Sequence, residues 1–211
     1  MSVPPFKLYL FDVDGTLMDS APDITGAVRS TLEAVGADGL SETYLRSFIG
    51  YHLHELFTQV FPGITQERSD ELLQSYRATY LARHHQATRV YAGVEEMLAK
   101  LGGLKSTATT KGSGTTRNVL TQFGLARYFD HVQGTDGFPS KPEPDIVFKS
   151  LEHFGVAPEE CLLIGDAPPD MLAGRRAGVR TCAAAWGYGD RERMRELAPD
   201  YWLQHPLDLV R

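Results

Sequence analysis

The chain has 211 residues, of which 42% are hydrophobic and 23% charged, an ordinary balance for a soluble globular protein with one sizeable core or a core plus a smaller insert. Its formal net charge of -6 and the absence of any basic run argue against a general nucleic-acid surface, which needs clustered Lys and Arg to displace phosphate counterions. The opening stretch, MSVPPFKLYLFDVDG, carries no long apolar segment ahead of its charged residues and reads as neither a signal peptide nor a membrane anchor.

The first element is the apolar run Leu8 to Phe11, a strand buried on both faces, ending in Asp12, Asp14, Gly15 and Thr16. Ser20 to Val35 reads as a helix capped by Ser20 or Asp23, with Ile24, Val28, Leu32 and Val35 on one face. Helical pattern then continues through Ser41 to Ile49, His52 to Phe61 and Gln66 to His85. This run of helices after the first strand predicts a separate lid, residues 18–90, above the acids of that strand.

Beyond Arg89 strands and helices alternate, which predicts a doubly wound α/β fold with a parallel sheet built from residues 1–17 and 91–211. The helices are expected over Gly93 to Leu101, Thr115 to Phe123, Glu143 to Phe154 and Asp170 to Ala177. The strands are expected at Lys105 to Thr110, His131 to Gln133, Cys161 to Gly165 and Val179 to Ala184, with Tyr201 to Gln204 as a last edge. Cys161 and Cys182 fall in predicted buried strands and read as free core residues, consistent with a reduced, cytoplasmic setting.

Chemistry concentrates at the ends of these strands. By strand alternation Asp12 and Asp14 face one side, and their repulsion is relieved by a divalent cation or by one retained proton. Thr109, Thr110 and Lys111 precede Gly112-Ser113-Gly114 and a helix N-terminus, a combination of hydroxyls and free N–H groups suited to a phosphate. Lys141 sits in SKPEPD, where two prolines stiffen the loop that aims it. Asp166 ends a strand as an oxygen ligand for Mg2+, beside Asp12 and the main-chain carbonyl at Asp14, and Asp170 follows four residues later. Read structurally, the same groups are an acidic turn, helix caps and a surface lysine, and each motif alone leaves that alternative open.

Together and in this order, FDVDGTLMDSAPDI, RSFIGYHLHELF, TTKG, SKPEPDI and IGDAPPDMLAGRRAG resemble the haloacid dehalogenase superfamily, in the branch with a helical cap after the first strand. Within it the chain is most similar to the phosphoglycolate phosphatase group. The resemblance implies Asp12 as nucleophile, Asp14 as acid and base, and Thr109 and Lys141 as phosphate ligands. It also implies a Mg2+ site at Asp12, Asp14 and Asp166 with Asp170 in support. The implied partner is a small phosphorylated metabolite, and the chain is expected as a monomer or homodimer.

Within the resembled superfamily, Asp14 argues against the dehalogenases, which lack that acid, and the absence of lysine between Lys7 and Lys100 argues against a Schiff-base phosphonate hydrolase. A phosphomutase, a pyrophosphatase or nucleotidase of the same superfamily, and a catalytically silent phosphate-binding module remain as rival readings. In the cap, Arg46, Tyr51, His52 and His54 lie near the first interhelical turn. Arg46 is the first candidate to read a carboxylate on the substrate, because such a group needs a cation.

Overall fold

The computed structural model describes residues 3–211, so the first two residues of the opening stretch lie outside the description. In chain order it contains β1 (Leu8–Phe11), β2 (Met18–Asp19), α1 (Ala21–Glu33), α2 (Glu42–Arg46), α3 (Leu53–Val60), α4 (Gln66–Ala82) and β3 (Arg89–Val90). There follow α5 (Val94–Lys100), β4 (Leu104–Thr107), α6 (Ser113–Gln122), α7 (Asp145–Phe154), β5 (Cys161–Gly165), α8 (Pro168–Ala177), β6 (Arg180–Ala184), α9 (Arg191–Glu196) and β7 (Tyr201–Leu203). No helix among the described residues is long and apolar enough to cross a membrane.

All four residues of β1 are buried, and their alternation divides the core. Leu8 and Leu10 enter one apolar cluster with Ile146, Val147 and Leu151 of α7 and Ala173 and Ala177 of α8. Tyr9 and Phe11 enter the other, with Val94, Met97 and Leu98 of α5 and Val119 and Leu120 of α6. The two faces of one sheet are thereby both covered by helices, as the unbroken apolar run requires. The sheet is parallel throughout, in the order β4-β1-β5-β6-β7, the expected doubly wound α/β arrangement. Cys161 and Cys182 are free, buried and on opposite faces.

Three features differ from the sequence reading. The strand expected at His131 to Gln133 is reduced to isolated bridges, Ser106 with His131 and Thr109 with Gly134. Thr107 donates its hydroxyl to the Gln133 carbonyl at 2.8 Å, taking an acceptor that a continuous ladder would use. A two-residue antiparallel ribbon, β2 with β3, joins Met18 to Val90 and Asp19 to Arg89. The short helix α9, capped by Asp190, was not anticipated either.

Helices α1–α4 lie between the two strands of that ribbon and build an apolar cluster of their own from Ile24, Val28, Leu32, Leu56, Phe57 and Leu72. Neither expected cap closes α1 with its side chain. The Tyr188 hydroxyl, from the loop after β6, accepts the Ser20 and Ala21 N–H groups at 2.7 and 3.0 Å instead. Asp23 turns the other way. Buried to 1% exposure, its carboxylate accepts from Arg83 Nε at 3.2 Å, from the Ala87 and Thr88 N–H groups at 3.0 and 2.8 Å, and from the Thr88 hydroxyl at 2.8 Å. It ties the start of the helical segment to its end.

Removing a buried carboxylate leaves its donors unpaired, and such losses cost several kcal/mol. Asp23→Ala is expected to lower unfolding stability by about 3 kcal/mol in urea titration, and a loss below about 1 kcal/mol would show that the latch contributes little.

Candidate active site

The parallel register carries the polar ends of three strands to one edge. Phe11 of β1 pairs with Thr107 of β4 and Ile164 of β5, so the residues just beyond, Asp12, Thr109 and Asp166, gather beyond the strands' carboxyl ends. This is where open parallel sheets hold ligands, at the point where strand order reverses.

Lys141 joins the edge from the loop before α7, with a fully buried side chain. Its ammonium donates to Asp12 Oδ1 at 2.9 Å and to Asp170 Oδ1 at 2.5 Å. Asp170 stands in the first turn of α8, and its second oxygen accepts the Ala167 N–H at 3.0 Å. Asp166 is held equally firmly: Thr16 Oγ1 donates to one oxygen and the Tyr188 N–H to the other, both at 2.8 Å. Gly15, at φ +88°, lies so close that a Cβ there would fall 2.2 Å from Asp166 Oδ2. Only glycine permits both that backbone and that approach.

Electrostatics sets the limits of this cluster. Oxygens of Asp12, Asp166 and Asp170 lie within 4.8 Å of one another. When all three are ionised, three carboxylates there face one ammonium, a surplus of two negative charges that either protons or a cation must relieve. Burial, partly offset by Lys141, pushes the Asp12 carboxyl up to about 7. Burial, reinforced by Asp12 and Asp170, raises Asp166 well above the ordinary carboxylate range. Burial alone would lower the Lys141 pKa, but Asp12 and Asp170 outweigh it and raise it. A buried all-oxygen set with two uncompensated charges fits a hard divalent cation such as Mg2+.

Asp14 departs from the expected geometry. The strand ends at Phe11, and beyond it alternation no longer governs direction. Asp14 makes an isolated bridge with Met18, and its carboxylate turns away from Asp12's partners to accept from Ser20 Oγ on one oxygen and Lys111 Nζ on the other. Its carboxylate is therefore not among the clustered oxygens, which come from Asp12, Asp166 and Asp170.

A cavity of about 170 Å3 opens from Asp14 toward α3 and α4. Its lining includes Thr110, Lys111, Tyr51, His52, Arg77 and Tyr80. His54 accepts or donates at Ser69 Oγ, 2.6 Å away, and does not line it. Arg46 does not reach it either: its guanidinium lies 4.7 Å over the Tyr188 ring and 3.9 Å from Asp19, half exposed on the outer seam. The helix expected over Ser41 to Ile49 ends at Arg46, and the sequence could not show which side of it meets the cleft. Thr109 is buried at the edge, with its hydroxyl near the Lys111 N–H at 3.4 Å. The N-terminus of α6, expected to face a phosphate, is occupied by Asp136, which accepts the Ser113 N–H at 3.1 Å and also its hydroxyl.

Lys111 and Arg77 were not singled out as site residues. The signal for Lys111 was its place in TTKG, directly after the two threonines, whereas nothing in α4 distinguishes Arg77 from a solvated helix charge.

A profile of the haloacid dehalogenase-like hydrolases matches residues 9–184. The chain belongs to that family. This hydrolase is 34% identical over 209 residues to a phosphoglycolate phosphatase of Aquifex aeolicus, covering 97% of the chain and 95% of the relative. It is also 32% identical over 205 residues to a pyrophosphatase of Bacillus velezensis, covering 95% and 93%. Among solved structures, a haloacid dehalogenase-like hydrolase of Streptococcus pneumoniae superposes with a TM-score of 0.88 at 26% identity, covering 97% of both chains.

Because the folded hydrolase raises the Asp12 and Asp166 pKa values, it holds protons there that the unfolded chain releases above about pH 4. That contribution to stability is present at low pH and is lost as pH rises toward about 7, the Asp12 value. A bound cation favours the ionised carboxylates. The melting temperature is therefore expected to rise more on adding Mg2+ at about pH 7.5 than at about pH 5, as read by differential scanning fluorimetry. An equal rise at both would separate cation binding from these two acids.

Proposed function

We propose that the protein is a cytoplasmic, magnesium-dependent phosphatase acting on a small phosphomonoester, with phosphoglycolate the favoured substrate, through an aspartyl-phosphate intermediate. The observation that carries this reading is the pairing of two differently surrounded carboxylates two residues apart: Asp12 against Lys141, and Asp14 at the mouth of a cavity.

In this reading Asp12 attacks phosphorus in line and the bond to the leaving oxygen breaks, giving an aspartyl phosphate. Asp14 protonates the departing oxygen and then takes a proton from the water that splits the intermediate. Lys141, Thr109, Thr110 and the loop N–H groups hold the equatorial oxygens, and Lys141 restrains Asp12 in the attacking position. Asp12, Asp166 and the Asp14 carbonyl would hold Mg2+, with Asp170 in support, and the ion would supply positive charge to offset the cluster and the phosphoryl oxygens. The helical segment over the site excludes competing water.

Cavity size supports a small leaving group. About 170 Å3 is little more than the roughly 150 Å3 that accommodates a benzene ring. A pyrophosphatase is the second reading, because one relative carries that name and a second phosphate suits the cations Lys111 and Arg77 as well as a carboxylate does.

Phosphate release with Mg2+ is expected to be fastest on phosphoglycolate among phosphoglycolate, pyrophosphate, a nucleoside monophosphate, β-glucose 1-phosphate and p-nitrophenyl phosphate. Asp12→Asn is expected to abolish it. Conversion of β-glucose 1-phosphate to an isomer without phosphate release would instead identify a mutase. Since Arg46 lies outside the cavity, Arg46→Ala is expected to slow phosphoglycolate and p-nitrophenyl phosphate by the same factor. A selective rise in the Michaelis constant for phosphoglycolate would return Arg46 to substrate recognition.

A further inference from the structure

Lys111 is the residue whose position the reaction above leaves unexplained. Its side chain is 11% exposed, and its ammonium pairs with Asp14 while lying 4.8 Å over the Tyr80 ring. Ser20 occupies the other Asp14 oxygen. Each Asp14 oxygen already accepts one donor, so a departing group must crowd in beside Ser20 or Lys111 or displace one of them. The donor better placed to yield is Lys111. Ser20 is buried at the start of α1, with its N–H fixed on Tyr188, whereas Lys111 has a long flexible stem and an aromatic face to rest on.

The composition of the cavity indicates where the ammonium goes. Among its lining residues Asp14 is the only carboxylate, set against Lys111 and Arg77, and the remaining walls are largely apolar: Ile24, Phe48, Ile49 and Leu73. An anionic group entering beside Asp14 meets Lys111 first and is shielded from water, where a charge-assisted bond is strong.

Resting on the phosphatase reading, we propose that Lys111 selects the leaving group: it parks on Asp14 in the free enzyme and transfers, as the ammonium, to a second anionic group on the substrate, freeing an Asp14 oxygen to take a proton from solvent and pass it to the leaving oxygen. A substrate with a carboxylate or second phosphate a few atoms from phosphorus releases the acid. One with a neutral leaving group leaves Lys111 in place. Lys111 is thus a specificity residue that also positions Asp14, and the same motion serves a phosphoglycolate or a pyrophosphate substrate.

The test compares phosphoglycolate with ethyl phosphate, which has the same two-carbon length without the carboxylate. The wild type is expected to prefer phosphoglycolate in kcat as well as in KM, because the charge both binds and frees the acid. In Lys111→Met the kcat/KM preference is expected to shrink by about tenfold or more, and Lys111→Arg to recover part of it. A preference unchanged in Lys111→Met, or a wild type that discriminates in KM alone, overturns the proposal.

Binding of 3-phosphonopropionate against propylphosphonate, measured by calorimetry with Mg2+, repeats the comparison without turnover. The wild type is expected to bind the carboxylate-bearing compound at least about tenfold more tightly, and equal affinities overturn the proposal even if the variants fail to fold. An inactive wild type that still shows this binding preference, with the preference lost in Lys111→Met, would remove the phosphatase reading and keep Lys111 as the anion receptor. An active enzyme lacking the preference would do the reverse.

Discussion

The site depends on one fully buried ammonium. An unpaired lysine charge at such depth is strongly unfavourable, so Lys141 must be met by carboxylates held in place. Asp12 and Asp170 meet it, and each is fixed by a different part of the fold: one by the end of a central strand, the other by the first turn of α8 and its bond to the Ala167 N–H. The loop before α7, β1 and α8 are thereby tied at a single atom. The tie also leaves the edge acidic, because Asp166 adds a third carboxylate without adding a cation. Structural cohesion and the demand for a divalent ion arise from the same arrangement.

Asp12 and Asp14 illustrate how close neighbours in sequence acquire separate surroundings. Asp12 looks toward the sheet edge and the second face of the core. After the chain leaves β1, Asp14 turns toward the helices, into a setting of Ser20, Lys111 and tyrosine rings. The end of regular strand geometry at Phe11 is what allows the two side chains to diverge.

How much of this was legible in the sequence depends on the range of the interaction. β1 and β5 were readable because a strand buried on both faces leaves an apolar run, and the acids after them because polar residues are conspicuous there. Asp12, Lys141, Asp166 and Asp170 are brought together as their shared strand-edge placement suggested. The ribbon of β2 and β3 was not readable, since two residues carry no periodicity. The Tyr188 hydroxyl capping α1 and Asp136 occupying the start of α6 were hidden for another reason: each partner is distant in the chain and chemically ordinary. Arg46 and Arg77 differ only in which side of their helices meets the cleft, and in amphipathic helices with several polar sides that depends on packing, not on local pattern.

The β2–β3 ribbon has an evolutionary consequence. The chain leaves the sheet through Met18–Asp19 and returns beside it through Arg89–Val90, so both crossings lie side by side. A segment inserted through one narrow neck, with its own apolar cluster and its ends clasped by Asp23, can be lengthened, shortened or exchanged without disturbing the register of the five parallel strands. Mutations in the inserted helices can therefore reshape the cavity walls contributed by α3 and α4 while the five parallel strands keep their register.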